Sequence, residues 1–338
     1  MNTYPPVYII ILNWNGWQDT VECLDSLKKA TYKNFYVVVV DNASRNDSVD
    51  RLRAWATDNG IPVNEYDLEN RNAEPLKKRD EKELPEGFRK LHLISSKVNL
   101  GFCSGNNVGI EFAVKNGAEY FLILNNDTIC EPDFIEPLVN MAETRSDAGL
   151  VGGLICYAEA KDIVQVAGGR LNFILEASLI GDFQPLDEFL KGKPEYYETD
   201  WVSGCMTLIP ARVFKTVGGY NEDFFIWSEE WDLSLRVRHS GYKLYIALGS
   251  KIYHKAGMSL GRITPMTHYY ANRNRLLLKK LHLRGIKKFL FYLWYIASRF
   301  VRWTEFAIKG RFDLISAGID AIVDHLKGRY GKWSKHKG

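Results

Sequence analysis

The chain has no run of about twenty apolar residues, the length a helix needs to cross a bilayer. Its most apolar stretch late in the sequence, Lys287 to Trp303, is interrupted by Arg299 and Arg302. Cysteine pairs are missing too. The five thiols (Cys23, Cys103, Cys130, Cys156, Cys205) are odd in number, scattered and without CxxC spacing. That argues against a disulfide framework or a zinc site and for reduced thiols in a cytosolic compartment. Cys23 and Cys156 are expected to fill core space. No basic residues precede the apolar stretch of MNTYPPVYIII, so no secretory signal is expected. Neither GxGxxG nor GxxxxGK[ST] occurs, which argues against a typical dinucleotide fold and a P-loop. Internal repeats of solenoid length are absent as well. At 338 residues, 46% hydrophobic and 25% charged, the chain can bury a large core.

What is present is a set of buried-looking runs that end in polar residues. VYIIIL (Val7 to Leu12) breaks into Asn13, Trp14, Asn15 and Gly16; FYVVVV (Phe35 to Val40) into Asp41, Asn42, Ala43 and Ser44; YFLIL (Tyr120 to Leu124) into Asn125, Asn126 and Asp127. Apolar runs of this kind suit parallel strands covered on both faces, and open α/β sheets bind ligands at the carboxyl ends of such strands. Helical spacing follows the first two runs, in Trp17 to Ala30 and Asp47 to Thr57. Leu91 to Ser95 predicts another strand, followed by a helix from about Ser104 to Asn116. Alternation of this kind indicates βαβ units and a mostly parallel sheet. Residues 64–90 are highly charged without a sustained apolar period and read as a mobile surface insertion.

Charge is uneven. From Lys279 onward there are fourteen Lys/Arg and four Asp/Glu, a balance of +10 against −7 for the rest. The expected division is a body over 1–278 and a basic amphipathic helical tail over 279–338. Aromatic residues beside Lys and Arg in the tail suit a membrane headgroup layer, with Arg299 and Arg302 snorkelling to lipid phosphate. The alternative is a helical hairpin packed on the body with its basic residues solvated. Nucleic acid is not an expected partner, because the tail's aromatics fall at helical spacing suited to packing or lipid.

Three groups of residues carry chemistry. Asp127, at a strand tip, is placed to hold a divalent cation, Mg²⁺ or Mn²⁺, against a phosphate. The small residues of GFCSGNNVG (Gly101 to Gly109) let a ligand approach the backbone, and the following helix N-terminus favours an anion. FFIWSEEWDLSLR (Phe224 to Arg236) places Glu229, Glu230 and Asp232 after an aromatic strand-like segment and at the start of a helix. Acids belong in a first helical turn on dipole grounds alone, yet adjacent acids near aromatic rings also suit a general base. His254 follows a further strand, either as a second metal ligand or as a structural histidine.

Together these blocks, namely DNAS at Asp41, NLGFCSGNN from Asn99, LNND ending at Asp127, SGCMTLIP from Ser203, FFIWSEEWDLSLR and His254, resemble the inverting family 2 glycosyltransferases with the GT-A fold. Within that family they look most like the rhamnosyltransferase-type enzymes of bacterial polysaccharide assembly. The resemblance covers about residues 5 to 280. It implies an α/β GT-A (nucleotide-diphospho-sugar transferase) fold, a mostly parallel central sheet flanked by helices, with a C-terminal helical extension.

By that resemblance Asp41 accepts from a pyrimidine N3 and Asn13 and Asn15 lie near the nucleoside, while Asn99, Gly101 and Asn106 belong to the donor site. Asn125, Asn126 and Asp127 occupy the position of the DxD motif, with Asn125 replacing the first acid and His254 matching a metal-ligating histidine of some relatives. Glu230 stands at the position of the catalytic base, commonly Asp, with Glu229 as the alternative. Trp201, Ser203, Gly204, Cys205 and Asp232 fall in the sugar and acceptor pocket, and Arg273 and Arg275 are candidates for phosphate contact.

The implied reaction is a single displacement that inverts the anomeric carbon and moves a sugar, rhamnose favoured, from a nucleoside diphosphate sugar. dTDP-rhamnose is the favoured donor and a UDP-sugar the next; the acceptor is a glycan or polyprenyl-diphosphate-linked. The expected location is cytoplasmic, peripheral on the inner face of the cell membrane. Alternatives are a transferase using UDP-hexose or UDP-galactofuranose, and a catalytically silent sugar-nucleotide or polysaccharide-binding protein.

Overall fold

A computed structural model describes residues 4–69, 72–75, 87–255 and 263–335. Along the chain β1 (Val7–Asn13), α1 (Trp17–Leu27), β2 (Asn34–Asp41), α2 (Ser48–Asp58), β3 (Val63–Glu69), β4 (Asn72–Pro75), β5 (Gly87–Ser95), α3 (Gly101–Lys115) and β6 (Tyr120–Leu124) form the first half. β7 (Thr128–Cys130), α4 (Ile135–Thr144), β8 (Ala148–Tyr157), β9 (Val164–Val166), β10 (Gly169–Leu171), β11 (Ala177–Leu179), α5 (Leu186–Leu190), β12 (Tyr196–Thr199) and β13 (Met206–Pro210) follow. Then come α6 (Ala211–Val217), α7 (Glu229–His239), β14 (Lys243–His254) and three C-terminal helices, α8 (Pro265–His282), α9 (Gly285–Ile308) and α10 (Phe312–Leu326).

The main sheet runs β12-β14-β8-β13-β6-β1-β2-β5-β3-β4. β1 pairs in parallel with both β2 and β6, and β5 with both β2 and β3. β13 is inserted antiparallel between β6 and β8. All five residues of β6 are buried, as expected of a strand with helices on both faces. One core layer joins Ile9, Ile11, Val37 and Val39 to the α1, α2 and α4 side. The other joins Ile10, Val38, Val40 and Ile123 to the α3 and α7 side. Because β1 and β2 register Asn13 against Asp41, the two polar tips finish level with each other.

The cysteines are buried and unpaired, as their spacing implied. Several local expectations change. The charged stretch is no simple insertion: Val63–Glu69 and Asn72–Pro75 are strands at the edge of the sheet, and β5 begins at Gly87 rather than Leu91. An edge strand needs few apolar residues, because one side and one face meet solvent. Residues 76–86 lie outside the described set. α3 begins at Gly101, not near Ser104. The aromatic segment before α7 is not a strand; after a short 3-10 turn at Glu222–Phe224 it bends through positive φ at Phe225 (65°), Trp227 (67°) and Ser228 (70°). Three such residues in four hold the approach to α7 in a strained, fixed shape.

The boundary expected after residue 278 falls inside α8, which is held at its start by a Thr264–Thr267 capping box with Pro265 in the first turn. α10 packs along α8 through Tyr269, Tyr270, Ala317 and Ala321. α9 is anchored by Phe291 and Tyr295 against Leu276 and Leu283. Beyond α10 the chain returns to the body, where Gly331 N donates to Asp223 O at 2.9 Å.

Candidate active site

At the β1 and β2 tips, Asp41 and Asn13 are buried and tied together. Asn13 Nδ2 donates to Asp41 Oδ1 at 2.7 Å, Ser44 Oγ to the same oxygen at 2.6 Å, and Ser44 N to Asp41 Oδ2 at 3.0 Å. Thr20 Oγ1 holds Asn13 Oδ1 from α1 at 2.9 Å. Asn15, with φ 55°, accepts from Arg45 N at 2.7 Å and its own amide donates to Ser44 Oγ at 2.8 Å. Neighbouring Asn42 accepts from Leu100 N and donates to Asn99 Oδ1, which in turn accepts from Gly101 N at 2.9 Å. The result is a preorganised polar rim in which Ser44 and Asn99 line a cavity of about 520 Å³.

The β6 tip meets β13 and the end of β14. Asn125 N donates to Cys205 O at 3.0 Å, and Asn126 Nδ2 reaches Thr20 Oγ1 at 3.1 Å. His254 Nε2 lies 3.1 Å from Asp127 Oδ1, while its Nδ1 is 2.9 Å from Gln165 Oε1. Burial disfavours the imidazolium, but the Cys205 thiol and the Asp127 carboxylate more than offset it and raise the His254 pKa to about 11.

A divalent cation fits this pair. Asp127 offers a carboxylate oxygen and His254 a ring nitrogen side by side, and Gln165 provides the hydrogen bond that would orient a ligating imidazole. No cluster of three or more His, Cys, Asp or Glu suited to metal occurs among the described residues. Asp127 and His254 would be the residues to hold such an ion, with its other positions open to a ligand's oxygens.

The acid pair opens α7. Glu229 is 5% exposed, and its Oε2 is buried without a hydrogen-bond partner. Burial, reinforced by the neighbouring Glu230, pushes its carboxyl well above the ordinary range. Glu230 is half-buried, and burial raises its carboxyl to about 7. Burial thus favours the protonated form of both acids, most strongly at Glu229. A Cβ on Gly204 would stand 3.9 Å from Glu229 Oε1 and 3.6 Å from Phe102 Cζ. The Ser203–Cys205 turn thus bridges the Asn125 tip and the acid pair, as β13 pairing with β6 requires.

Other expected site residues have structural partners. Asp232 is buried, 2.7 Å from Arg236 Nε and 2.8 Å from His282 Nε2, so it pins α7 to α8 rather than facing an acceptor. Arg273 is fully buried; its guanidinium donates to the carbonyls of Gly331, Asp223 and Phe224, which excludes the expected phosphate contact. Arg275 pairs with Glu176 instead. Trp201, expected to stack on a sugar, is 3% exposed and packs edge-on to Trp231 at 6.1 Å.

The anion site expected at the start of α3 is closed, because Phe102 N and Cys103 N both donate to Phe225 O, at 2.7 and 3.2 Å. Gly101 (φ 79°) permits that contact; a Cβ there would lie 2.5 Å from the Phe225 ring. Gly105 and Gly109 face Leu12 and Ile10 at 2.4 and 2.5 Å, so the glycines serve helix-to-strand packing. Asn106 is buried and donates to Phe102 O at 2.9 Å.

Residues the sequence did not point to also reach the site. Lys332 lines the cavity beside Ser44, Ser96 and Asn99. A second cavity of about 540 Å³, lined by Leu12, Trp14, Phe102 and Phe225, is closed on its far side by Met266, Trp333 and Lys335. No periodicity or motif links these C-terminal residues to the strand tips.

Comparison with known proteins places this geometry in a family. Residues 8–73 and 76–218 match the model "Glycosyl transferase family 2", and residues 189–269 match "N-terminal domain of galactosyltransferase". The chain is 23% identical over 337 residues to the dTDP-rhamnosyl transferase RfbF of Shigella flexneri, covering 96% of this chain and 97% of that one. It is 26% identical over 206 residues to the N-acetylglucosaminyl-diphospho-decaprenol L-rhamnosyltransferase of Mycobacterium tuberculosis, covering 55% of this chain and 65% of that one. Among solved structures, the mannosyltransferase PcManGT from Pyrobaculum calidifontis with GDP-Man and Mn²⁺ is 14% identical with a TM-score of 0.51, covering 99% of this chain and 89% of that one. GalNAc-T7 with UDP, GalNAc and Mn²⁺ is 14% identical with a TM-score of 0.53, covering 75% of this chain and 44% of that one. A GT-A fold, a matching family model and rhamnosyl-transferring relatives agree: this chain belongs to glycosyl transferase family 2 and is rhamnosyltransferase-like.

Proposed function

We propose that the protein is a metal-dependent, inverting transferase that moves rhamnose from dTDP-rhamnose to a glycan or polyprenyl-diphosphate-linked acceptor in cell-surface polysaccharide assembly. The observation that carries this reading is the pairing of two unlike centres beside one turn: Asp127 with His254, and Glu229 with Glu230. The nature of the relatives supports the donor and acceptor classes.

Asp127 and His254 would hold Mg²⁺ or Mn²⁺, which supplies charge stabilisation to the departing nucleoside diphosphate. The Asn13–Asp41–Ser44 rim and Asn15 position the nucleoside end. Glu230 takes the proton from the acceptor hydroxyl as that oxygen attacks the anomeric carbon; the bond from that carbon to the diphosphate oxygen breaks, and configuration inverts. Its pKa near 7 suits a base working at neutral pH. Burial at Glu229 opposes a second negative charge beside it. Asn125, where a first acid would stand in a DxD motif, lowers the charge at the metal centre, and His254 offsets the missing ligand.

The tail supports membrane docking of a peripheral kind on the cytoplasmic face. No helix among the described residues is long and apolar enough to cross a membrane. On α9, however, Ile286, Phe289, Leu293, Ile296, Phe300 and Ile308 recur at helical spacing and all are exposed, Ile308 to 82%. Phe291 and Tyr295 bury the opposite side. Attraction of the +10 segment to anionic lipid is worth about 1 kcal/mol per basic residue near the surface. Of the two arginines expected to snorkel, Arg299 is turned inward to Asn272 Oδ1 at 2.6 Å, and Arg302 pairs with Glu305 at 2.9 Å.

A panel assay of nucleoside diphosphate release from dTDP-rhamnose, UDP-glucose, UDP-galactose, UDP-galactofuranose and UDP-N-acetylglucosamine tests the donor. Fastest release from dTDP-rhamnose is expected; faster release from a UDP-sugar overturns the choice of donor. Binding without turnover across the whole panel would identify a silent sugar-nucleotide binder.

A further inference from the structure

The chain after α10 does not trail away from the body. Gly328 and Gly331, with φ of 66° and 78°, turn it back toward the carboxyl edge of the sheet. There it is fixed at several points. Gly331 N donates to Asp223 O at 2.9 Å, and Arg273 donates to Gly331 O. Trp333 N donates to Tyr270 Oη at 2.9 Å, and the Trp333 ring stacks on Tyr269 at 4.4 Å and 11°. Lys335 Nζ closes the segment on Asp320 at 2.6 Å.

Between two anchored neighbours, Lys332 is exposed and lines the 520 Å³ cavity with Trp14, Ser44, Arg45, Ser96, Lys97 and Asn99. No carboxylate lies in that lining. Lys332 makes no ion pair or hydrogen bond among the described residues, whereas Lys335 does. An ammonium held in a fixed segment, facing a cavity with no carboxylate in its lining and with Ser44 and Asn99 on its wall, is poised to donate to a ligand. Asp127 and His254 are not part of this lining, so the ligand group it meets is at the nucleoside end, not at the metal-held diphosphate.

We infer that the segment Gly331–Lys335 forms a wall of the donor pocket, with Lys332 donating hydrogen bonds to the acceptor-rich edge of a pyrimidine nucleotide and Trp333 as the residue that positions it. This rests on the donor-nucleotide reading above and adds to it a C-terminal specificity element. Under this arrangement the tail is not an appendage to a complete catalytic body. The turn at Gly331–Lys335 belongs to the substrate site, and α10 is the strut that delivers it.

Calorimetry of dTDP, dTMP and UDP binding to the full-length wild type, Lys332→Met, Lys332→Arg and Trp333→Ala is the test. Lys332→Met keeps the stem, loses the charge and should weaken dTDP and dTMP binding alike by about tenfold. The loss should persist when the metal is chelated, because it concerns the nucleoside end. Lys332→Arg should recover most of the affinity. In a Trp333→Ala background, Lys332→Met should have little further effect, as expected of two residues acting through one contact. Unchanged affinity in Lys332→Met overturns the inference while leaving the transferase reading intact. A loss confined to dTDP with metal present also overturns it, since Lys332 would then serve the diphosphate. A wild type that binds none of the three nucleotides overturns the donor reading and this inference together.

Discussion

Two acidic centres flank the Ser203–Cys205 turn, and their surroundings differ in sign. At the β6 tip the Asp127 carboxyl lies 3.1 Å from His254 Nε2, so its nearest partner is a basic ring. At the start of α7 burial raises the carboxyls of both Glu229 and Glu230; Glu230 adds to the rise at Glu229, while a hydrogen bond with Glu229 limits it at Glu230. The first arrangement would hold a cation once the imidazole proton is displaced, and the second suits exchanging a proton at neutral pH. Residue type alone does not separate the roles; burial and the nearest partner do.

Removing the carboxylate at the first centre should have the largest effect. Asp127→Asn is expected to abolish turnover and to eliminate the metal-dependent part of donor binding by calorimetry. Metal-dependent binding that survives in this variant would break the contrast between the centres.

The second centre is sharpened by a pH profile taken at saturating metal. A base with a pKa of about 7 is protonated below that value, so kcat/KM should fall toward tenfold per pH unit on the acid side. Glu229, Asp232, Cys103 and Tyr220 share the surroundings of this carboxyl, and Glu229 is the group whose removal should shift the profile. For stability the sign is opposite to the usual surface acid. The unfolded chain ionises near 4.5 and the folded one near 7, so folding becomes less favourable as pH rises through that window. A flat profile from pH 5.5 to 8 would remove the basis for assigning proton exchange to α7.

The smallest expected effect concerns the outer side of α9. Replacing Phe289, Leu293 and Phe300 with Ser should reduce flotation with anionic liposomes several-fold at low salt, while dTDP release in solution stays near the wild-type rate. Equal flotation would show that charge alone carries the attachment. A shift from dimer to monomer in the triple variant would assign the stripe to a second copy of the chain.

Much of the polar sheet edge is legible in the sequence because β1, β2 and β6 are buried on both faces, and a run of apolar residues ending in Asn or Asp marks a strand and its tip at once. The Glu229–Glu230 pair was legible as chemistry but not as a division of labour, which depends on which carboxyl is deeper. β3 and β4 were hidden by their charge, since an edge strand can be polar. The glycines of GFCSGNNVG looked like a ligand approach and proved to be packing, because Leu12, Ile10 and Phe225 occupy the space a Cβ would need. Arg273 looked like a phosphate contact, yet backbone carbonyls satisfy it in the interior. Lys332 and Trp333 were out of reach of any local pattern, because only the return of the chain after α10 brings them to the strand tips.

The most direct test of the account is kcat and donor Kd measured side by side for Glu230→Gln and Glu229→Gln. Glu230→Gln should lower kcat by about 10²–10⁴-fold with donor affinity nearly intact, because only the chemical step loses its base. Glu229→Gln, which keeps the side chain's length and shape, should cost less than about tenfold. The reverse pattern, with Glu229→Gln inactive and Glu230→Gln active, would contradict it.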